Sequence, residues 1–106
     1  MASSNIIGAN WGAFPQTALA KTYGTFTLAT GAGPVSSGPI SVPFLSATDD
    51  IKVYYLSGSS VAGPLVITSS NLGLSNASFV VTSTGNVVAV AGSASAVYRW
   101  ETVKEQ

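Results

Sequence analysis

Residues 78–91 read Ser78-Phe79-Val80-Val81-Thr82-Ser83-Thr84-Gly85-Asn86-Val87-Val88-Ala89-Val90-Ala91. Two β-branched runs joined by a Gly- and Asn-containing turn carry the sequence signature of a β-hairpin. Phe79 and Val81 share one face of the first run and Val80 lies on the other; Val87, Ala89 and Ala91 oppose Val88 and Val90 in the second. Neither face carries a charge. A half-buried strand is apolar on one side and wet on the other. An apolar pair on both sides therefore needs a core beneath it and cover above it. That cover is either a loop of the same chain or a neighbouring subunit.

Alternation continues outward from this ribbon. Residues 23–30 put Phe26 and Leu28 on one side and threonines on the other, and the Gly-rich segment 31–34 ends the run. Ile40, Val42 and Phe44 alternate with Ser41, Pro43 and Leu45, but Pro43 cannot donate to a ladder and marks an edge or a bulge. Ile51, Val53 and Tyr55 alternate with Lys52, Tyr54 and Leu56, the clearest period of two in the chain. Residues 65–68 form another short run. Residues 97–103 close the series, with Tyr98 and Trp100 opposite Arg99 and Glu101. Helix is confined to one candidate turn over 15–21, where a proline suits the first position and a lysine the last. Short strands separated by turn signals predict an all-β fold, an antiparallel β-sandwich, jelly-roll-like or Ig-like, of about seven or eight strands. Residues 1–22 read as an N-terminal arm or first strand plus crossover, and 23–106 as the sandwich, within a single domain.

Charge is what the chain lacks. Asp, Glu, Lys and Arg make up 8% of its 106 residues, with no histidine and no cysteine, against roughly a quarter charged in an ordinary soluble domain. A folded monomer of this mass exposes on the order of 5,500 Å², which so few ions cannot cover. That surface is either Ser, Thr, Gly, Asn and bare apolar side chains, or it is covered by neighbouring proteins. Ile6, Ile7 and Trp11 in the arm, with Val80, Val88 and Val90 on the ribbon, are the interface residues this reading selects.

Composition also bounds the chemistry. Lys21, Lys52, Arg99 and Lys104 are scattered, so a phosphate backbone finds no cluster to bind and no nucleic acid is expected. Although the mean hydropathy is +0.41, Gly, Pro and polar residues interrupt every apolar stretch, and no run of ~18 apolar residues offers a membrane span. Met1 to Asn5 lacks the basic-then-apolar pattern of a signal peptide; outside a virion the chain reads as soluble. Without histidine or cysteine, the usual proton-transfer groups and soft metal ligands are missing. No enzyme, no metal and no cofactor are expected. Asp49 and Asp50 fit a turn, where Asp bonds its own backbone, better than a catalytic pair or a calcium loop. Asn76-Ala77-Ser78 matches the glycosylation sequon, a pattern short enough to arise by chance. Tyr54, Tyr55 and Trp100 could stack on sugar rings, although such aromatics more often anchor cores and interfaces.

In its Ala/Gly/Ser/Thr/Val-rich texture the chain resembles small β-rich phage virion proteins, the capsid decoration (cement) proteins and fibre or spike domains. Residues 71–76 and 83–88 carry that texture, with no specific motif. The resemblance implies a homo-oligomer, often a trimer, bound to a capsid or another virion protein. The leading expectation is thus a non-enzymatic structural protein located in a virion. The alternative is a carbohydrate-binding β-sandwich module, receptor-binding or lectin-like, with Tyr54, Tyr55 and Trp100 as its stacking residues.

Overall fold

The structure is a computed structural model that describes residues 21–104. Ile6, Ile7, Trp11 and most of the candidate helical turn lie outside the described residues; Lys21 itself opens a strand.

Strand β1 (Lys21–Ala29) pairs antiparallel along its whole length with β9 (Ser95–Val103), whose other edge takes β4 (Asp50–Gly58). This gives a three-stranded sheet in the order β1-β9-β4. A second sheet is centred on β7 (Ser78–Ser83). Along one edge of β7 runs β6 (Leu65–Ser70); along the other lie β2 (Val35–Ser36) and β3 (Ile40–Ser41). Those two short strands are one edge interrupted between Ser36 and Ile40. Ser37 bridges the interruption: its N–H donates to the Val81 carbonyl at 2.8 Å, and its hydroxyl accepts from the Val81 N–H at 3.0 Å. A side-chain oxygen there replaces a ladder carbonyl. β5 (Ser60–Val61) and β8 (Val87–Val88) make a third, two-stranded sheet, and Gly31 bridges the other side of Val87.

The period of two seen in the sequence decides which side chains meet. Ala96, Tyr98, Trp100 and Thr102 are the buried positions of β9, with Phe26 and Leu28 beside them on β1. Phe79, Val81 and Ser83 are the buried positions of β7. The Phe79 ring meets the Trp100 indole edge-on, with centroids 5.5 Å apart, so the two central strands are joined through the core. The two sheets pack face to face as a sandwich-like all-β body. Phe26 stacks on Tyr98 at 5.2 Å, and Val42, Leu45, Ala77 and Val87 complete the buried cluster. Buried Thr102 is hydrogen-bonded through its hydroxyl to Thr22 across the β1–β9 pair.

Gly24 shows why a glycine stands inside β1. It is the cross-strand partner of Trp100, and a Cβ there would lie 2.8–2.9 Å from the indole. The strand loses propensity at this residue, and the ring covers the backbone left bare.

The expected hairpin over 78–91 does not form. β7 already has neighbours on both edges, so no ladder position is left for residues 87–91. The linker is held elsewhere. Thr84 donates to the Pro64 carbonyl through both its N–H and its hydroxyl, and Gly85 N–H donates to Ala62. The Asn86 carboxamide accepts from Gly33 N–H at 2.9 Å. These bonds carry the chain out of one sheet and into another, so the second run pairs as the short β8 with β5. The run expected over 40–45 is also cut short, to Ile40–Ser41. Val42 and Leu45 still reach the core, but from the two ends of one turn through Pro43 and Phe44, closed by Leu45 N–H donating to the Val42 carbonyl at 3.1 Å.

Candidate functional site

The register of the β1-β9-β4 sheet sorts its outward side chains into rows. The first row is Lys21, Val103 and Asp50; the second is Tyr23, Glu101 and Lys52; the third is Thr25, Arg99 and Tyr54. Beyond them come Thr27, Val97 and Ser57, then Ala29 and Ser95, without charge. Asp49 and Lys104 flank the first row in the chain. Every charged residue described therefore gathers toward one end of one sheet.

These charges satisfy one another. Glu101 accepts from Arg99 Nε at 3.1 Å and lies 3.3 Å from Lys21 Nζ. The hydrogen bond from Arg99 is the main reason its carboxyl sits below the ordinary carboxylate range, with Lys21 adding to it and desolvation opposing. The Arg99 guanidinium also lies over the Tyr23 ring, 4.8 Å from its centroid, a cation–π arrangement. Lys52 and Asp50 approach to 3.9 Å across open solvent. Asp49 performs the turn chemistry expected of it: its Oδ2 accepts from Ser46 N–H at 2.9 Å while its own N–H donates to Ser46. The same oxygen lies 3.1 Å from Lys104 Nζ, which also donates to the Phe44 carbonyl. The two adjacent aspartates thus do different structural work. Asp49 is built into its turn, and Asp50 opens β4.

The other sheet carries no charge on its outer face. By register that face consists of Ser36 and Ser41, then Ser78, Val80 and Thr82, then Val66, Thr68 and Ser70. Val80 lies at its centre and is half-buried. Val88 and Val90 belong to a different place, on and just beyond β8, where they are 57% and 50% exposed. The predicted interface valines are therefore exposed or half-exposed, but they form two separate patches rather than one side of a ribbon. What joins the patches is that neither carries an ion.

The three predicted stacking aromatics are not brought together. Trp100 is 8% exposed and packed on Phe79, so it is a core residue and its place in the stacking set is corrected. Alternation alone put it on the Tyr98 face without revealing that this face is the inner one. Tyr54 points outward beside Arg99. Tyr55, its chain neighbour, takes the opposite face, edge-on to Tyr98 at 5.6 Å, with its hydroxyl donating to Gly58 at 2.7 Å. A bulge between Tyr55 and Ser57 leaves Leu56 without a partner, and Tyr55 remains 52% exposed where the strand bends. With Tyr98, Ser60 and Val61 it lines an open pocket of about 380 Å³. Burial, with Tyr55 adding a smaller effect, raises the Tyr98 phenol above its ordinary range. Sequence reasoning missed Ser60, Val61 and Tyr98 as pocket residues, because Tyr98 meets Tyr55 only through the β4–β9 register and Ser60 and Val61 come beside it only where β4 turns into β5.

No protein-family model, no curated protein and no solved structure matches this chain. The functional reading therefore rests on the surface itself.

Proposed function

We propose that the chain is a non-enzymatic structural subunit that works by burying uncharged surface against its neighbours in a larger assembly. A virion is the setting its texture suits best, with the chain serving as a decoration, cement or other minor structural component. Its partners would be copies of itself and a capsid or other virion protein. One observation carries this reading: among the described residues the ions are confined to one end of one sheet, while the opposite face and the β5–β8 end are apolar or hydroxylic. Burial of such surface is worth roughly 25 cal/mol per Å² before association costs are subtracted, and little desolvation of charge opposes it.

The test is the oligomeric state. Wild-type chain is expected to self-associate in light scattering coupled to size-exclusion chromatography. Val80→Lys or Val88→Lys is expected to weaken that association at least about tenfold, near 1.4 kcal/mol, with the far-UV spectrum unchanged. A monomer at every concentration, indifferent to both lysines and bound to no virion component, overturns the proposal.

The Tyr55 pocket supports a second reading, a carbohydrate-binding module. Its volume is within the range of small-ligand sites, and the Tyr55 side chain at its rim is half exposed. Glycan-array binding that disappears in Tyr55→Ala and survives in Trp100→Phe would favour it over the first.

A further inference from the structure

We infer that the free edge of β6 is a seam between two copies of this chain, joined by antiparallel β6–β6 pairing. This rests on the assembly reading above and names one of its contacts.

An edge strand presents unpaired N–H and C=O groups, and folded proteins protect such edges with charges, prolines, bulges or short strands. The edges of this sandwich differ in that respect. β4 has Asp50, Lys52 and the bulge at Leu56. The β2–β3 edge is two residues long on each side of a break that contains Pro39. β1 opens with Lys21. β6 reads Leu65-Val66-Ile67-Thr68-Ser69-Ser70, six residues with no charge, proline or glycine. It is paired to β7 at every residue, and no described strand lies on its other side. Val66 and Ile67 remain partly open to solvent there.

The strand suits a copy of itself. Directly opposed residues in an antiparallel pair share a face, so a two-fold seam must be centred on a residue. Centring it on Thr68 opposes Thr68 to Thr68, Ile67 to Ser69 and Val66 to Ser70. Centring on Ile67 would draw Pro64, which has no N–H, opposite Ser70. Centring on Ser69 would draw in Asn71, whose φ of 55° leaves the extended region. The Thr68 register pairs five strand residues, Val66 to Ser70, and leaves Pro64 outside the ladder, whereas the Ile67 register pairs Leu65 to Ser69 and meets Pro64 at its next step. The Thr68 register also opposes neutral β-branched and hydroxyl side chains, so no like charges meet across the seam. The result is one continuous sheet through both molecules, with an outer face free of ions. A charged peptide would find no counter-charge on this edge.

The chain has no cysteine, so a single introduced thiol reports the seam cleanly. Opposed Cα atoms in an antiparallel pair lie roughly 4.5–5.5 Å apart, within disulfide reach. Thr68→Cys under mild oxidation is expected to run as a covalent dimer of doubled mass on a non-reducing gel. Thr27→Cys, on the outer face of β1, is expected to stay monomeric. If wild-type chain self-associates but Thr68→Cys does not cross-link, the seam is overturned and the assembly reading stands, with residues 1–20 or the sheet face as the contact. If wild-type chain is monomeric in light scattering and Thr68→Cys does not cross-link, both are overturned.

Discussion

Trp100→Ala is expected to lower the unfolding free energy by roughly 3–5 kcal/mol, the range for removing a large buried aromatic. The total stability of a domain this size is about 5–15 kcal/mol, so the variant would lose a large share of it. The indole is the piece of the three-stranded sheet that reaches Phe79 on the other sheet. It also roofs Gly24, so its loss leaves a cavity and a bare stretch of β1 together. Urea denaturation followed by far-UV circular dichroism measures the effect. Trp100→Phe keeps a ring against Phe79 and is expected to recover most of the loss, costing about 1–2 kcal/mol. If Trp100→Ala keeps wild-type stability, the face-to-face packing of the two sheets is wrong. The prediction also bears on function. Lost ligand binding in Trp100→Ala would report unfolding, not a stacking contact.

Gly58→Ala is expected to cost roughly 3 kcal/mol or more, from two sources that act on the same atom. Its φ of 93° lies in the region that favours glycine, and a Cβ there would stand 2.2 Å from the Ser95 carbonyl oxygen. That oxygen belongs to backbone that cannot move freely, because it accepts from Ser59 N–H at 3.0 Å where β4 turns into β5. Relief would have to come from the end of the β4–β9 ladder, the same corner that opens the Tyr55 pocket. Gly63→Ala, by contrast, meets chiefly the Thr84 hydroxyl, a side-chain atom, so its steric clash is easier to relieve. A thermal melt comparing the two variants checks this. Equal melting temperatures would show that the corner at Gly58 yields more easily than its backbone contact implies.

The strands that were legible in the sequence share one property. In the runs read at 23–30, 51–56 and 97–103 side chains alternate, and the pleat turns alternation directly into two faces without reference to any other part of the chain. Phe26 shares a face with Leu28, and Tyr98 with Trp100, for that reason; that the Trp100 face is the inner one came only from the packing of the two sheets. Where the sequence misled, the deciding quantity was a partner. Residues 78–83 and 87–91 look like a hairpin because they are adjacent and β-branched, yet adjacency saves only a little loop entropy, which grows logarithmically with length. Burying Phe79 and Val81 at the centre of a sheet outweighed it, and β6 and the β2–β3 edge took the ladder positions.

The candidate surface divides along the same line. Scarcity of charge is a property of composition and is fixed before folding. The confinement of the described charges to one sheet end is a product of register, since Lys21, the Asp50–Lys52 pair and the Arg99–Glu101 pair come from three distant stretches of the chain and are brought side by side through β9. The opposite fates of Tyr54 and Tyr55 follow from alternation; the openness of Tyr55 follows from a bulge that no local pattern announces.

By itself, then, the sequence determined an all-β chain, the side-chain parity of its longest strands and a surface short of ions. Only the tertiary structure decided which strands are neighbours, which aromatic is core and which edge is left unprotected. Parity is written in each residue's own backbone geometry, whereas neighbours are chosen by competition among all strands for the same core and the same hydrogen bonds.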